Sequence, residues 1–258
     1  MNYWQQRALE TQYNISEKSI KDIQKQLSKY YRNAFEKTIE DFEATYDKLL
    51  ATIAKDREPT PADLYKLDKY WKMQGQLKRE LQKLGDKEVA LLSKRFTEQF
   101  IDVYKAISLP SEAAYATIDY NTAFQMIQQI WVADGKSWSS RIWNNTNILA
   151  DTLNEELIHC VVSGKPTREL KNILQYRFNV SYNSAESLVR TEIAHIQTQA
   201  AQKRYEDYGI QEVEVWADKD ERRCEVCGEL HQKRYKIGEQ MPIPAHPKCR
   251  CTIIPVIE

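Results

Sequence analysis

Glycine and proline are scarce in this chain, at 7 and 8 residues in 258. So few breakers leave room for long, uninterrupted helices. Net charge is also missing: 37 Lys and Arg balance 37 Asp and Glu, so no overall field draws the chain toward nucleic acid or anionic lipid. No apolar run approaches the roughly 20 residues of a membrane span. The opening Met-Asn-Tyr-Trp-Gln-Gln-Arg has no apolar core, so no signal peptide is expected. Cysteine is rare, and four of its five copies fall in the last thirty-five residues. An odd count crowded at one end predicts a reduced compartment and a metal rather than a disulfide framework. A soluble, helix-rich chain of one large or two modest domains is expected.

Apolar residues recur at Ile20, Ile23, Leu27, Tyr30, Ala34, Ile39, Phe42, Tyr46, Leu49 and Ile53. Steps of three and four predict one face of a long helix with coiled-coil-like spacing. Some 40 residues of helix would run on the order of 60 Å, so this face needs a partner, either the next helix of the chain or another protein. Pro59-Thr60-Pro61 ends the first element and starts a second, with Thr60 as cap and Asp63 near the helix start. Leu64, Leu67, Trp71, Leu77, Leu81 and Leu84 then predict a buried face, with Gly85 as C-terminal cap. Val89 to Ile107 continues the rhythm until Leu109-Pro110-Ser111. Residues 1–110 are thus expected to form an elongated helical interaction region without a catalytic constellation.

Residues 111–258 form the second expected domain, helical over 111–209 and β over 210–258. Asp134-Gly135-Lys136 reads as a turn, Thr167 as a cap before Leu170 to Phe178, and Ser181 as the cap of a following helix ending at Gly209. From there the period changes to two. Val213, Val215 and Ala217 alternate with polar neighbours, and Tyr235 to Ile237 and Cys251 to Val256 read as short strands. The expected fold is mainly α with a small C-terminal α+β module: long N-terminal helices, and short antiparallel strands around a zinc knuckle.

That knuckle is the sharpest feature of the chain: Cys224-x2-Cys227-x18-His246-x2-Cys249-x-Cys251. Each half places two soft ligands in one tight turn, as a tetrahedral zinc ion requires. Cys224, Cys227, His246 and Cys249 are the expected ligands. Cys251 lies two along on a presumed strand, so it is the alternative to Cys249 or else a small buried hydrophobe. His231 is a weaker ligand candidate, and Cys160 beside Leu157 and Val161 reads as core. Four ligands close the site, so zinc is expected to be structural, with its binding energy acting as folding energy.

The residues around the knuckle carry a resemblance. Trp131, Asp134-Gly-Lys-Ser-Trp138, Ser140-Arg-Ile-Trp143, Arg190-Thr-Glu192, Trp216, Asp220-Glu-Arg222, Cys224-Glu-Val-Cys227 and His246-Pro-Lys-Cys-Arg-Cys251 resemble the phage Mu F-like minor head proteins, the phage head-morphogenesis family. Tyr3-Trp4-Gln-Gln-Arg7 looks like the start of minor capsid proteins of Gram-positive phages and prophages. The resemblance implies a structural protein present in few copies per virion. It would sit inside the head near the portal, having assembled in the host cytoplasm. Its implied role is in head assembly and in packaging or delivery of DNA, without enzymatic turnover. Its implied partners are the portal protein and a major capsid or scaffolding protein; neither a membrane nor a small-molecule substrate is expected.

Arg190 and Glu192 stand two apart on a helix, so they face different ways. Each is expected to pair with the strand segment, for instance Glu192 with Arg222 or Arg250. Asp220 and Arg222 would steady the first knuckle turn, and His195 is expected to be a satisfied polar residue. Lys219, Arg222, Arg223, Lys233, Arg234, Lys236, Lys248 and Arg250 surround the knot amid interspersed acids. This keeps open a zinc-knuckle module making weak, nonspecific DNA contact. Among enzymes, an HNH-like nuclease would need a His beside an acidic residue, which Pro244-Ala-His246-Pro lacks. Glu212-Val-Glu214 resembles the Glu-x-Glu of ADP-ribosyltransferases, but no Ser-Thr-Ser strand accompanies it. A zinc hydrolase would need an open coordination position.

Overall fold

A computed structural model describes residues 1–53, 59–110, 117–217 and 223–257. Its elements in chain order are α1 (Tyr3–Thr52), α2 (Pro61–Tyr65), α3 (Asp68–Ala106), α4 (Tyr120–Ile127), α5 (Trp138–Val162), α6 (Thr167–Tyr208), β1 (Glu212–Trp216), α7 (Glu225–Leu230), β2 (Arg234–Lys236) and β3 (Thr252–Pro255). The fold is mainly α, with one small antiparallel sheet near the C-terminal end, as the patterning predicts.

Helix α1 begins well before Ile20. The Asn2 side chain accepts from Gln5 N–H at 3.0 Å, and Gln5 Oε1 accepts from Asn2 N–H at 2.9 Å. This reciprocal pair satisfies two donors that an uncapped helix would leave orphaned. At α2 the Asp63 carboxylate accepts from both Thr60 N–H and Thr60 Oγ, and Pro61 takes the first helical position. Helix α6 runs unbroken from Thr167 to Tyr208, so Ser181 is a buried interior residue and not a cap. It ends where expected: Gly209 adopts φ +90°, and the N–H groups of Gly209 and Ile210 close back on Glu206 and Tyr205. That turn takes up carbonyls that the helix end would leave unpaired.

The described chain groups into two compact units built from non-contiguous segments. Division at residue 110 concerns linear segments, whereas these units are sets of packed segments. One unit, Lys25–Ala90 with Ser139–Ala185, is helical. Its core draws Phe42, Tyr46 and Leu49 from α1, Leu64 from α2, and Met73, Leu77 and Leu81 from α3. Leu153 and Leu157 of α5 and Leu174 of α6 complete it. Within this unit, the apolar face of α1 finds its partners in the chain's own helices. Burying each such side chain stabilises by about 1.5–3 kcal/mol. Two details depart from the expected pattern. Trp71 is 56% exposed, and Tyr70 and Met73 take the buried positions, because α2 stops at Tyr65 and α3 restarts the helical phase at Asp68. Gly85 lies inside α3 rather than at its end. A Cβ there would stand 2.4 Å from the Trp143 ring, so glycine lets the indole approach the helix backbone. Cys160 is buried in this core, as read.

The other unit, Met1–Gln24 with Leu91–Trp138 and Glu186–Glu258, contains the sheet, in the order β2-β1-β3. Val213 pairs with Tyr235 on one side and Pro255 on the other. The alternation in β1 buries Val213 and Val215, while all four residues of β3 are buried. Strand β3 is an edge, and its free carbonyls are covered. Gln5 Nε2 donates to Pro255 O at 2.9 Å, Gln12 Nε2 to Ile253 O at 3.0 Å, and Tyr205 Oη to Ile253 O at 3.4 Å. An edge capped by side chains cannot template a foreign strand.

Beneath that edge runs a buried chain of polar side chains. Gln99 Nε2 donates to Ser16 Oγ at 2.8 Å, and Ser16 Oγ donates to Gln197 Oε1. Gln197 Nε2 donates to Thr252 Oγ1 at 2.8 Å, and Thr252 Oγ1 to Gln12 Oε1 at 2.6 Å. The series ends on Ile253 O through Gln12. Every hydroxyl and amide in it donates in the same direction, so the bonds polarise one another.

Candidate metal centre

The two cysteine knuckles come together in the sheet-bearing unit. Cys224 is the N-cap of α7, and its Sγ accepts from Cys227 N–H at 3.4 Å. That amide holds the Cys224 thiol below its ordinary value, favouring the thiolate that a metal binds. In the second knuckle Cys249 N–H closes on His246 O at 3.1 Å, with Lys248 at φ +62° completing the turn. His246 Nδ1 lies 2.9 Å from Pro247 O, and Nε2 lies 3.1 Å from Cys227 Sγ. With its proton on Nδ1, the ring donates to that carbonyl and turns the Nε2 lone pair toward the sulfurs, the orientation a ligand histidine requires.

The donor atoms form two groups that share Cys227: Cys224, Cys227 and His246, and Cys227, Cys249 and Cys251. Within each group all donors lie within 4.8 Å of one another. Cys227 Sγ and Cys249 Sγ are 3.8 Å apart. Thiolates about 2.3 Å from a tetrahedral zinc would stand about 3.8 Å apart. Soft donors grouped in this way could hold a metal ion, and four of the five are thiols, which suits zinc over hard cations. The neighbouring Cys251 thiol holds Cys249 down to about 5, and Cys249 in turn pushes the Cys251 thiol up. Burial pushes the Cys227 thiol up to about 12, and a cation would reverse that preference.

The four expected ligands and the alternative Cys251 therefore fall into two three-donor groups joined at Cys227, with Cys249 grouped with Cys251 rather than with Cys224 and His246. His231 belongs to neither group among the described residues. Its Nδ1 accepts from Ala217 N–H at 3.2 Å, and its ring meets Trp216 edge-on. Asp220 and Arg222, assigned to the first turn, lie outside the described residues.

The Arg190-Thr-Glu192 stretch lies within α6. Thr191 Oγ1 accepts from Lys248 N–H at 3.1 Å, tying the second knuckle to the helix. Sequence reading passed over Thr191, although its place inside a motif was a signal. Glu192 is buried and accepts from Trp131 Nε1 at 3.1 Å. Arg190 pairs with Glu186 on its own helix at 3.2 Å, in place of the strand partner expected for it. Trp131 stacks on His195 at 4.2 Å, and burial lowers the His195 imidazole to about 3. His195 is thus a neutral packing residue, with an Nε2 that has no hydrogen-bond partner, where a satisfied histidine was expected. A cavity of about 710 Å³ opens beside the second knuckle, with Tyr13, Ile20, Arg190, Ile193, Lys248 and Arg250 in its walls. Glu212 and Glu214 lie on β1, and Glu214 pairs with Arg234 across the sheet at 3.7 Å.

Comparison with known proteins accords with the resemblance carried by these residues. Residues 151–254 match the family described as Phage Mu protein F like protein, a stretch that includes the C-terminal part of α5, all of α6, the sheet except Pro255, and all five donors. The chain is also 28% identical over 144 residues to the NAD(+)--arginine ADP-ribosyltransferase EFV of Enterococcus faecalis (strain ATCC 700802 / V583). That alignment covers 48% of this chain and 29% of that protein, so the chain spans under a third of the relative's length. No solved structure matches the chain. Over residues 151–254 the chain is thus similar to the phage Mu protein F like family.

Proposed function

We propose that this Mu F-like chain is a minor capsid protein that joins the portal-proximal shell inside the head, and that its C-terminal module is pinned by a structural zinc ion. The observation that supports this most is the family match over the region that holds every donor of the cluster. Zinc on Cys224, Cys227, His246 and Cys249, with Cys251 as the alternative fourth thiolate, leaves no position for an activated water. A three-stranded sheet is too small to bury an adequate core unaided, so such a metal would supply folding energy. The portal protein is the proposed partner, with the major capsid or scaffolding protein next. Among the described residues, no helix is long and apolar enough to cross a membrane.

Co-expression with the portal protein encoded beside it, followed by native mass spectrometry and metal analysis, tests both parts. A complex of defined stoichiometry carrying about one zinc per chain is expected. A chain that remains alone counts against portal contact, and a metal-free chain with an intact sheet counts against zinc. Lys233, Lys236 and Lys248 are exposed beside the knuckle, which supports a second reading as a weak DNA-binding module. Binding to DNA should then fall steeply with salt; salt-insensitive binding would exclude it. The transferase activity named for the enterococcal relative is not proposed for this chain, because the alignment covers only 29% of that protein. Incubation with NAD⁺ and an arginine substrate is expected to give no transfer.

A further inference from the structure

Glu88 lies in α3, in the helical unit, and has no solvent exposure. Neither of its carboxyl oxygens makes a hydrogen bond of normal geometry, although the Tyr31 hydroxyl is near enough to favour the ionised form. Among the described residues it is the most deeply buried acid; Glu192, the next, accepts from the Trp131 indole. The group facing Glu88 from α1 is the buried Tyr31 phenol, which is titratable and acts on the carboxyl. Its hydroxyl receives Asn145 Nδ2 of α5 at 3.1 Å and lies 3.4 Å from Ser181 Oγ of α6. Asn145 also donates to Ser181 O at 3.0 Å. Asn145 and Ser181 do not titrate, and these polar groups use their bonds on one another. On α3 itself, the neighbouring Lys87 ammonium lies over the Tyr30 ring at 5.9 Å. No charged group of α1, α5 or α6 appears among the influences on the carboxyl.

A carboxylate in such a place would lose its hydration without gaining a counterion, whereas a neutral carboxylic acid would lose far less. We infer that the helical unit is built around a neutral Glu88, and that ionisation of this residue loosens the packing where α1, α3, α5 and α6 meet at Tyr31. Burial, opposed by the Tyr31 hydroxyl, pushes the Glu88 carboxyl from 4.5 up to about 7. The folded state therefore holds a proton that the unfolded chain releases at lower pH. The stabilisation is fully present below about pH 4.5 and is lost as pH rises through about 7. This device is independent of the assembly role proposed above.

Urea unfolding of the full chain at pH 5 and pH 8, beside the neutral isostere Glu88→Gln, reads the effect. The unfolding constant of the wild type, relative to the variant, is expected to rise on the order of 50- to 100-fold across that span. Taking the ratio cancels other titrating groups, including the cysteine cluster. Parallel pH dependences of the two proteins would overturn the inference. A variant that fails to fold leaves a second measurement on the wild type, the ¹³C titration of its glutamate carboxyls. One glutamate titrating well above the rest is expected, and the absence of any titrating above pH 6 would sink the idea.

Discussion

The two compact units differ in what holds them together. The helical unit rests on area: large side chains from five helices close on one another, and Glu88, the most deeply buried acid among the described residues, makes no hydrogen bond of normal geometry. The sheet-bearing unit also buries apolar side chains such as Phe96, Phe100, Ile193 and Ile253, and to these it adds directed bonds: a one-way polar chain, a capped strand edge and two linked groups of soft donors. Apolar packing is additive and tolerant of small changes. Directed bonds fail as sets, because each broken link strands a buried group. A helix can bury one face and satisfy its own backbone, whereas a three-stranded sheet must borrow partners for its edges.

The largest separation between the units should follow from loss of the proposed metal. Cys227 belongs to both donor groups, so Cys227→Ser removes the shared vertex. Structural zinc binds with apparent free energies of about 10–16 kcal/mol in small domains, and several of these should be lost to folding here. Residue-resolved hydrogen exchange is expected to show β1–β3 deprotected after chelation, with the helical unit unchanged. Equal protection before and after chelation would remove the metal from the stability argument. Thr252→Val breaks the polar chain at its centre. It removes the acceptor for Gln197 and the donor to Gln12 while keeping the shape. Two stranded buried amides should cost about 2–4 kcal/mol, measured by denaturant unfolding of the sheet-bearing unit. A loss below about 0.5 kcal/mol would show that the chain contributes little.

Much of this was legible from residue spacing, for physical reasons. Two ligands in one turn remain adjacent whatever the rest of the chain does, so the donors Cys224, Cys227, His246, Cys249 and Cys251 could be read directly. Apolar periodicity showed Ile23, Leu27, Phe42 and Leu92 as buried, because a helix repeats its face over many turns. Single-residue judgements were weaker. Gly85 looks like a cap in one dimension, and only the indole of Trp143, 58 positions along the chain, makes it an approach site. Ser181 has cap chemistry, yet the helix continues through it because its neighbours pack. Thr191 and Gln197 act through partners 57 and 55 residues away, distances that no local pattern encodes.

The units should also respond to pH in opposite senses. Burial lowers His195 from 6.5 to about 3, so the folded sheet-bearing unit excludes a proton that the unfolded chain accepts. Stability from this residue is present above about pH 6.5 and falls away as pH drops toward 3, the reverse of Glu88. Between pH 6.5 and 5.5 the unfolding constant should rise by somewhat under tenfold, or about 1 kcal/mol. His195→Phe keeps a ring against Trp131 and should flatten this slope. The comparison is sharpest by hydrogen exchange, which reports each unit separately. If both units lose protection in the same direction on acidification, the assignment of His195 as a buried neutral ring fails.

The smallest expected effect tests whether area alone governs the helical unit. Gly85→Ala should gain about 1 kcal/mol of helix propensity. Against this, the new Cβ would meet three Trp143 ring atoms at 2.4 to 2.9 Å, and overpacking of that kind costs about 1–3 kcal/mol. The net change should be a loss of about 1 kcal/mol, so the clash wins narrowly. Trp143→Ala removes the obstacle, and in that background Gly85→Ala should become stabilising by nearly the full propensity term. The reversal of sign is the decisive reading, because a general weakening of the helix would give the same sign in both backgrounds. A stabilised single variant would instead mean that the indole can shift aside, and that this packing is looser than the glycine suggests.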